Sequence, residues 1–89
     1  MALHIIKNAK ASCISEIAGL IQDHDQVLLM EDGCYLYTLA TQIFHNIKAI
    51  DIHMESRGLT HKAADLPIEL ISIKDWALLT RTETPVVTW

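Results

Sequence analysis

The residues most able to do chemistry are the two cysteines, and Cys34 has the more suggestive surroundings. It follows Glu31, Asp32 and Gly33, where an apolar run ends and a helix is predicted to begin. A thiol at a helix N-terminus can have a lowered pKa, because the helix dipole favours the thiolate that accepts sulfur or acts as a nucleophile. The two preceding carboxylates oppose this effect. We favour the alternative, in which Glu31 and Asp32 cap the helix and Cys34 is a half-buried packing residue.

The second cysteine, Cys13, lies one residue after Ser12, a candidate helix cap. Both thiols are therefore expected at the same end of the predicted sheet, although no Cys-x-x-Cys motif joins them. Packing is the favoured role for Cys13, and a functional thiol is the alternative. Two cysteines without an export signal at the N-terminus predict reduced thiols in the cytoplasm.

The histidines do not form a metal-binding pattern. None has the spacing of a zinc site, and His4 and His53 are predicted to be hydrogen-bonded structural residues. Glycine-rich phosphate loops and the hydrolase nucleophile elbow are also absent from the sequence. No cofactor and no metal is predicted. The five histidines are His4, His24, His45, His53 and His61.

Charge and hydropathy narrow the class of protein further. Seven basic and eleven acidic residues give a net charge of −4, which argues against direct binding of nucleic acid. The apolar runs are far shorter than the ~20 residues of a membrane span. With 89 residues, of which 51% are hydrophobic, the chain is predicted to be one globular domain, residues 1–89.

The hydrophobic pattern alternates between strands and helices. It predicts an α/β fold in three layers, with a mostly parallel sheet of about five strands and helices on both faces. Functional sites in such sheets lie beyond the carboxyl ends of the strands, here Asn8–Ser12, Glu31–Cys34 and His53–Gly58. Pro85 predicts that the last strand lies at an edge. The predicted strands are Leu3–Lys7, Gln26–Met30, Ala49–His53, Ile68–Ile73 and Val86–Trp89. The first predicted helix begins after Ser12 and extends to Ile21, the second runs from Cys34 to Asn46, and the third begins at Asp75.

Five segments, taken in order, resemble the DsrH/TusB family of DsrE-like sulfur-relay proteins. The segment around Arg57-Gly58 is similar to the family's D-x-x-A-R-G-L/F motif, and the resemblance extends over nearly the whole chain. The five segments are Leu3–Ile6, Val27–Gly33, Met54–Leu59, Ile73–Thr80 and Val87–Trp89.

The resemblance implies a small α/β subunit of a sulfur-transfer complex. In the TusB branch, the partners are TusC- and TusD-like (DsrF- and DsrE-like) subunits in a heterohexamer, which passes persulfide sulfur towards the wobble uridine of tRNA. The DsrH branch works in sulfur oxidation instead. In both, the catalytic persulfide cysteine belongs to the TusD- or DsrE-like subunit.

The cysteines of this chain depart from the family pattern. Some DsrH proteins carry a cysteine in the first helix, at the position that corresponds to Ile17 here; Cys13 lies one helical turn earlier, and Cys34 is not a family catalytic position. The leading hypothesis is therefore a non-catalytic TusB-like subunit. One alternative is a direct persulfide sulfurtransferase, or a DsrH-like sulfur-oxidation subunit, that uses Cys13 or Cys34. Another alternative is a stand-alone homo-oligomer.

Overall fold

Five short parallel strands form one sheet in the computed structural model, which describes residues 2–89. The strands are β1 (Leu3–Ile6), β2 (Gln26–Leu29), β3 (Asn46–Ile50), β4 (Ile68–Ile71) and β5 (Val86–Thr88). Their order across the sheet is β4-β3-β2-β1-β5, and every neighbouring pair is parallel. The predicted parallel α/β sheet is confirmed, and β5 lies at an edge as predicted.

The helices are divided unequally between the two faces of the sheet. One face packs against α1 (Ala11–Ile17), α2 (Tyr37–Ile43) and α3 (Asp51–Ser56), and a 3-10 helix, η1 (Glu31–Leu36), leads into α2. The other face packs against α4 (Ile73–Thr82) through Trp76 and Leu79. The result is the predicted three-layer arrangement.

The two faces have separate hydrophobic cores. The larger core contains Ile14 and Ile17 of α1 and Met54 of α3. The smaller core lies under α4 and includes Leu3, Ile5, Leu28, Met30, Ile50 and Ile71. Strand β2 contributes Val27 and Leu29 to one core and Leu28 to the other, which explains its continuous apolar run.

The third strand begins earlier than predicted. The predicted strand Ala49–His53 is wrong, because β3 is Asn46–Ile50 and Asp51 already begins α3. Helix α2 ends at Ile43, since Phe44 has an extended backbone. The alternation of Ile50 and Ile52 misled the prediction, because two isoleucines two residues apart also fit a strand that turns directly into a helix.

Helix ends also differ from the prediction in their details. Ser12 does not cap α1, which begins after Lys10 without a side-chain cap and ends at Ile17 rather than Ile21. Asp75 is not the N-cap of α4; Ser72 is, and its Oγ accepts the Asp75 amide N–H at 3.1 Å. Asp75 completes a capping box by accepting the Ser72 N–H.

Candidate functional site

The carboxyl ends of β1, β2 and β3 meet at one end of the sheet, as predicted. The Gly33 N–H donates to the Lys7 carbonyl at 3.1 Å, which joins the segments after β2 and β1. The Glu31 N–H donates to His53 Nδ1 at 3.0 Å, which joins the segments after β2 and β3. We call this group of residues, Glu31, Asp32, Cys34, His53 and Arg57, the carboxyl-edge cluster.

Gly33 allows the chain after β2 to lie directly against β1. A Cβ atom at this position would lie 1.9 Å from the Ile6 carbonyl oxygen, so only glycine fits without a backbone shift. The neighbouring Glu31 has a φ of 51°, a left-handed conformation that is uncommon for residues other than glycine. The turn that begins the carboxyl-edge cluster is therefore set by close backbone packing.

Cys34 is fully buried within the larger core. It lies in η1 rather than at the start of an α-helix, and its Sγ is 3.7 Å from the Leu29 carbonyl oxygen. Burial raises the pKa of the Cys34 thiol to about 11; the nearby charge of Arg57 lowers the pKa and that of Asp32 raises it. The lowered pKa considered for a helix N-terminus is therefore not found here, and the thiol is protonated at neutral pH.

The two acidic residues before Cys34 do not cap a helix, which corrects the prediction. Asp32 accepts hydrogen bonds from Arg57 Nε at 3.3 Å and from Nη2 at 3.1 Å. Arg57 Nη1 also donates to the His53 carbonyl at 3.3 Å. Arg57 therefore ties η1 to α3. The sequence prediction did not assign this structural role to Arg57, although the Arg57-Gly58 pair after α3 was a signal that could have pointed to it.

Cys13 lies in the first turn of α1 and is half-buried. Its hydrogen-bond partner is the Asn8 side chain, whose Nδ2 is 3.9 Å from the Cys13 Sγ. Both cysteines follow strands at the carboxyl end of the sheet, as predicted, and both are free thiols. The side chain that contacts the Cys13 thiol is thus an uncharged amide.

His4 is a buried, hydrogen-bonded structural residue, as predicted. Its Nδ1 accepts the Trp89 Nε1–H at 3.2 Å, so its Nε2 carries the proton and faces Asp25 Oδ2, also at 3.2 Å. Asp25 additionally accepts the N–H groups of Ala2 and Gln22. This network joins β1, β5 and the loop before β2, and the sequence prediction missed Asp25.

Two surface cavities lie away from both cysteines, and no cysteine lines either of them. One cavity of about 390 Å³ lies at the amino ends of β3 and β4 and is lined by His45, Lys48 and Glu69 among others. A second of about 300 Å³ lies beyond α3 and is lined by Glu55, Gly58, Thr60 and His61.

Residues 2–89 hold no group of three side chains suited to binding a metal ion, and no helix among them is long and apolar enough to span a bilayer.

The chemistry available at the carboxyl-edge cluster is limited. Asp32 is exposed but is paired with the partly buried Arg57, His53 Nδ1 accepts a backbone N–H, and the only thiol of the cluster is buried. The cluster is therefore arranged to hold η1 and α3 together.

No protein-family model and no curated protein sequence matches the chain.

Proposed function

We propose that this chain is a non-catalytic, TusB-like subunit of a cytoplasmic sulfur-relay complex that acts in 2-thiolation of the tRNA wobble uridine. Its partners in this proposal are TusC- and TusD-like subunits, and the persulfide cysteine belongs to the TusD-like chain. The observation that carries the proposal is the burial of Cys34 with a pKa raised to about 11. The resemblance of the five sequence segments supplies the sulfur-relay context.

A persulfide carrier needs an accessible thiolate, and neither cysteine is well placed to provide one. Cys34 is fully buried. Cys13 is half-buried beside the uncharged amide of Asn8. The burial of Cys34 and the uncharged neighbour of Cys13 support a structural subunit.

The surface of the chain supports a role in an assembly. The smaller core is covered by α4, and large hydrophobic side chains remain exposed on several elements. A net charge of −4 supplies no basic footprint for tRNA, so RNA binding is assigned to the partner subunits. The large exposed hydrophobic residues are Leu20, Tyr35, Ile43, Ile52, Leu70, Ile73, Leu78 and Val86.

A direct sulfurtransferase is the second candidate, and the partial exposure of Cys13 at the carboxyl end of the sheet favours it. In that reaction the Cys13 thiolate would attack the outer sulfur of a donor persulfide. The donor S–S bond would break, the donor thiolate would leave, and Cys13 would carry the persulfide. The same reaction would apply in a sulfur-oxidation complex of the DsrH type.

The proposal is tested by recovering the chain from its native host under mild conditions. We expect a tagged wild-type chain to co-purify with a DsrE-like subunit that carries a persulfide. The Cys13→Ser variant should recover the same subunit in the same amount, because the proposal gives Cys13 no role in sulfur transfer. Recovery of no DsrE-like chain by either protein would contradict the proposal.

A further inference from the structure

The edge strand β5 is attached to the sheet by few contacts. It has three residues, of which none is fully buried. Within residues 2–89 it pairs with β1 alone, because it lies at the edge of the sheet. Elements with few buried groups are among the first to open in a native protein. The attachment of β5 therefore depends strongly on the contacts of the residue that follows it, Trp89.

Trp89 is held by its backbone and by its side chain. Its N–H donates to the Ile5 carbonyl at 2.8 Å, and its carbonyl accepts the Lys7 N–H at 3.4 Å. The indole packs against the larger core, and its Nε1–H donates to His4 Nδ1 at 3.2 Å. The planes of the two rings differ by 15°, with their centroids 6.2 Å apart. The side chain of Trp89 is thus anchored on one nitrogen of His4.

His4 can accept this hydrogen bond only while it is neutral. A neutral imidazole has one donor nitrogen and one acceptor nitrogen, whereas an imidazolium has two donors. A proton added at Nδ1 would point at the N–H of Trp89, and the indole would lose its acceptor. A flip of the ring would not restore the bond, because both nitrogens then carry protons.

The contact of His4 with Asp25 would survive the same proton. The His4 Nε2 already faces Asp25 Oδ2 at 3.2 Å, and both residues are buried. Burial raises the pKa of Asp25, but hydrogen bonds from Ala2, Gln22 and His4 hold it below its usual value, so Asp25 is a carboxylate at neutral and mildly acidic pH. A protonated His4 would keep this counter-ion, and the lost contact would be the one with Trp89.

Other charged groups around His4 are directed towards solvent. His24 Nε2 lies 3.8 Å from Asp25 Oδ1, and its side chain is 58% exposed. Glu16 is the charged residue of α1, which packs on the same face of the sheet, and it is exposed, as is Lys7 beyond the end of β1. The register neighbours of His4 in β2 and β5 are valines. Asp25 is therefore the charged partner of His4.

We propose that the contact between His4 and Trp89 is a pH switch: neutral His4 holds the indole, and a proton taken up at Nδ1 releases the indole and loosens β5 from β1. The proton comes from solvent, the hydrogen bond from Trp89 breaks, and the contact with Asp25 remains. Histidine changes its charge between about pH 5 and 8, so the switch works in mildly acidic solution. The proposal does not depend on the sulfur-relay function, so either can fail without the other.

Release of the indole changes the surface of the molecule at this edge. The part of the larger core that Trp89 covers becomes accessible. When β5 loosens, the outer backbone groups of β1 also become free to pair, as at any sheet edge. Mild acid is therefore expected to open this side of the sheet while the rest of the fold is retained.

Proton–nitrogen NMR of the full chain between about pH 8 and pH 5 tests the switch, because the two tryptophans, Trp76 and Trp89, give two indole N–H signals. We expect the Trp89 signal to move together with the ring signals of His4. Its exchange with solvent should become at least about tenfold faster relative to that of Trp76, as the loss of one hydrogen bond allows. Trp76 packs in the smaller core on the opposite face and is the internal control. Trp89→Phe assigns the two signals.

Two variants separate His4 from its neighbours. His4→Gln cannot take up a proton in this range, so its Trp89 signal should no longer depend on pH. His24→Gln is the matched control, because His24 also lies beside Asp25 but does not contact the indole, and it should respond like the wild type.

Several results would overturn the proposal. One is a Trp89 signal that stays constant through this pH range. Others are a response that persists in His4→Gln or disappears in His24→Gln, and a simultaneous change at Trp76, which would indicate unfolding of the whole molecule. If His4→Gln does not fold, the wild-type spectra decide, since a Trp89 signal that follows the ring of His24 and not that of His4 contradicts the switch.

Discussion

At the scale of single residues, Asp25 is a buried polar group that contacts three partners. Its carboxylate accepts the N–H groups of Ala2 and Gln22 and faces His4 Nε2. Burial alone raises the pKa of Asp25, but these hydrogen bonds and the adjacent His4 outweigh burial and hold the pKa below its usual value. The folded protein therefore favours the ionised, carboxylate form of Asp25.

This assignment predicts an acid-dependent part of the stability. As the pH falls, the unfolded chain binds the Asp25 proton first, so the stabilisation is complete above about pH 4 and is lost as the pH falls through the lowered folded-state pKa. Asp25→Asn should reduce the free energy of unfolding at pH 7 by about 1–3 kcal/mol and weaken its dependence on pH below 5. Urea denaturation at several pH values measures both effects.

The control for that experiment is Asp23→Asn. The Asp23 side chain is 92% exposed and pairs with the exposed His45, so its loss should change the free energy of unfolding very little. An Asp25→Asn variant with the stability and acid profile of the wild type would contradict the role given to Asp25.

Individual residues were predicted from sequence with mixed success, for identifiable reasons. The packing interpretation of Cys34 and the structural role of His4 could be reached because both residue types are commonly buried or hydrogen-bonded in folded proteins. Asp25 was missed because two of its partners, Ala2 and His4, become its neighbours only when β1 and β2 pair. The left-handed φ of Glu31 has no signal in a single sequence.

At the scale of elements, Gly33 sets how η1 packs against β1. Its N–H is shared between the Lys7 and Met30 carbonyls, at 3.1 and 2.9 Å. Because Gly33 has no Cβ atom, the Ile6 carbonyl can lie where a side chain would otherwise be, and η1 can begin directly beside the end of β1. This contact also directs Cys34 into the larger core.

Gly33→Ala is therefore expected to be strongly destabilising. The added Cβ would lie 1.9 Å from the Ile6 oxygen and must displace backbone, which should cost about 3 kcal/mol or more. Gly19→Ala is the matched control, because nothing lies within 4 Å of its Cβ position, and it should be neutral or stabilising by up to about 1 kcal/mol. Thermal denaturation compares them, and equal melting temperatures would contradict this packing.

The elements themselves could be predicted from hydrophobic periodicity, but their boundaries could not. Strand β3 was placed three residues late because Ile47 continues the apolar spacing of α2 and Ile52 continues that of β3. The structure separates them through the extended backbone of Phe44 and the start of α3 at Asp51, whose Oδ1 accepts the Ile52 N–H at 2.7 Å. Such local bonds are invisible to a pattern of period two or 3.6.

At the scale of the whole molecule, the order of the strands explains the unequal faces. The chain steps from β1 to β4 in one direction with α1, α2 and α3 on one face, and then returns with α4 on the other to place β5 beside β1. The sequence predicted a parallel sheet with helices on both faces. It could not predict this order, because β1 and β2 are apolar on both faces and fit several arrangements.

This architecture leaves a small domain with one well-covered face, one face covered by a single helix, and an open edge at β4. The face covered by a single helix and the open edge are suited to association with other chains, and neither creates an exposed thiolate. Under the function proposed above, the chain assists a sulfur relay as a structural subunit and does not itself carry sulfur.

The most direct measurement is the intact mass of the purified chain after incubation with a cysteine desulfurase and cysteine, alongside Cys13→Ser and Cys34→Ser. The account predicts that no protein gains the mass of a sulfur atom, because Cys34 is buried with a raised pKa and Cys13 has no charged partner. A gain by the wild type that one serine variant abolishes would contradict the account and identify that cysteine as a relay site.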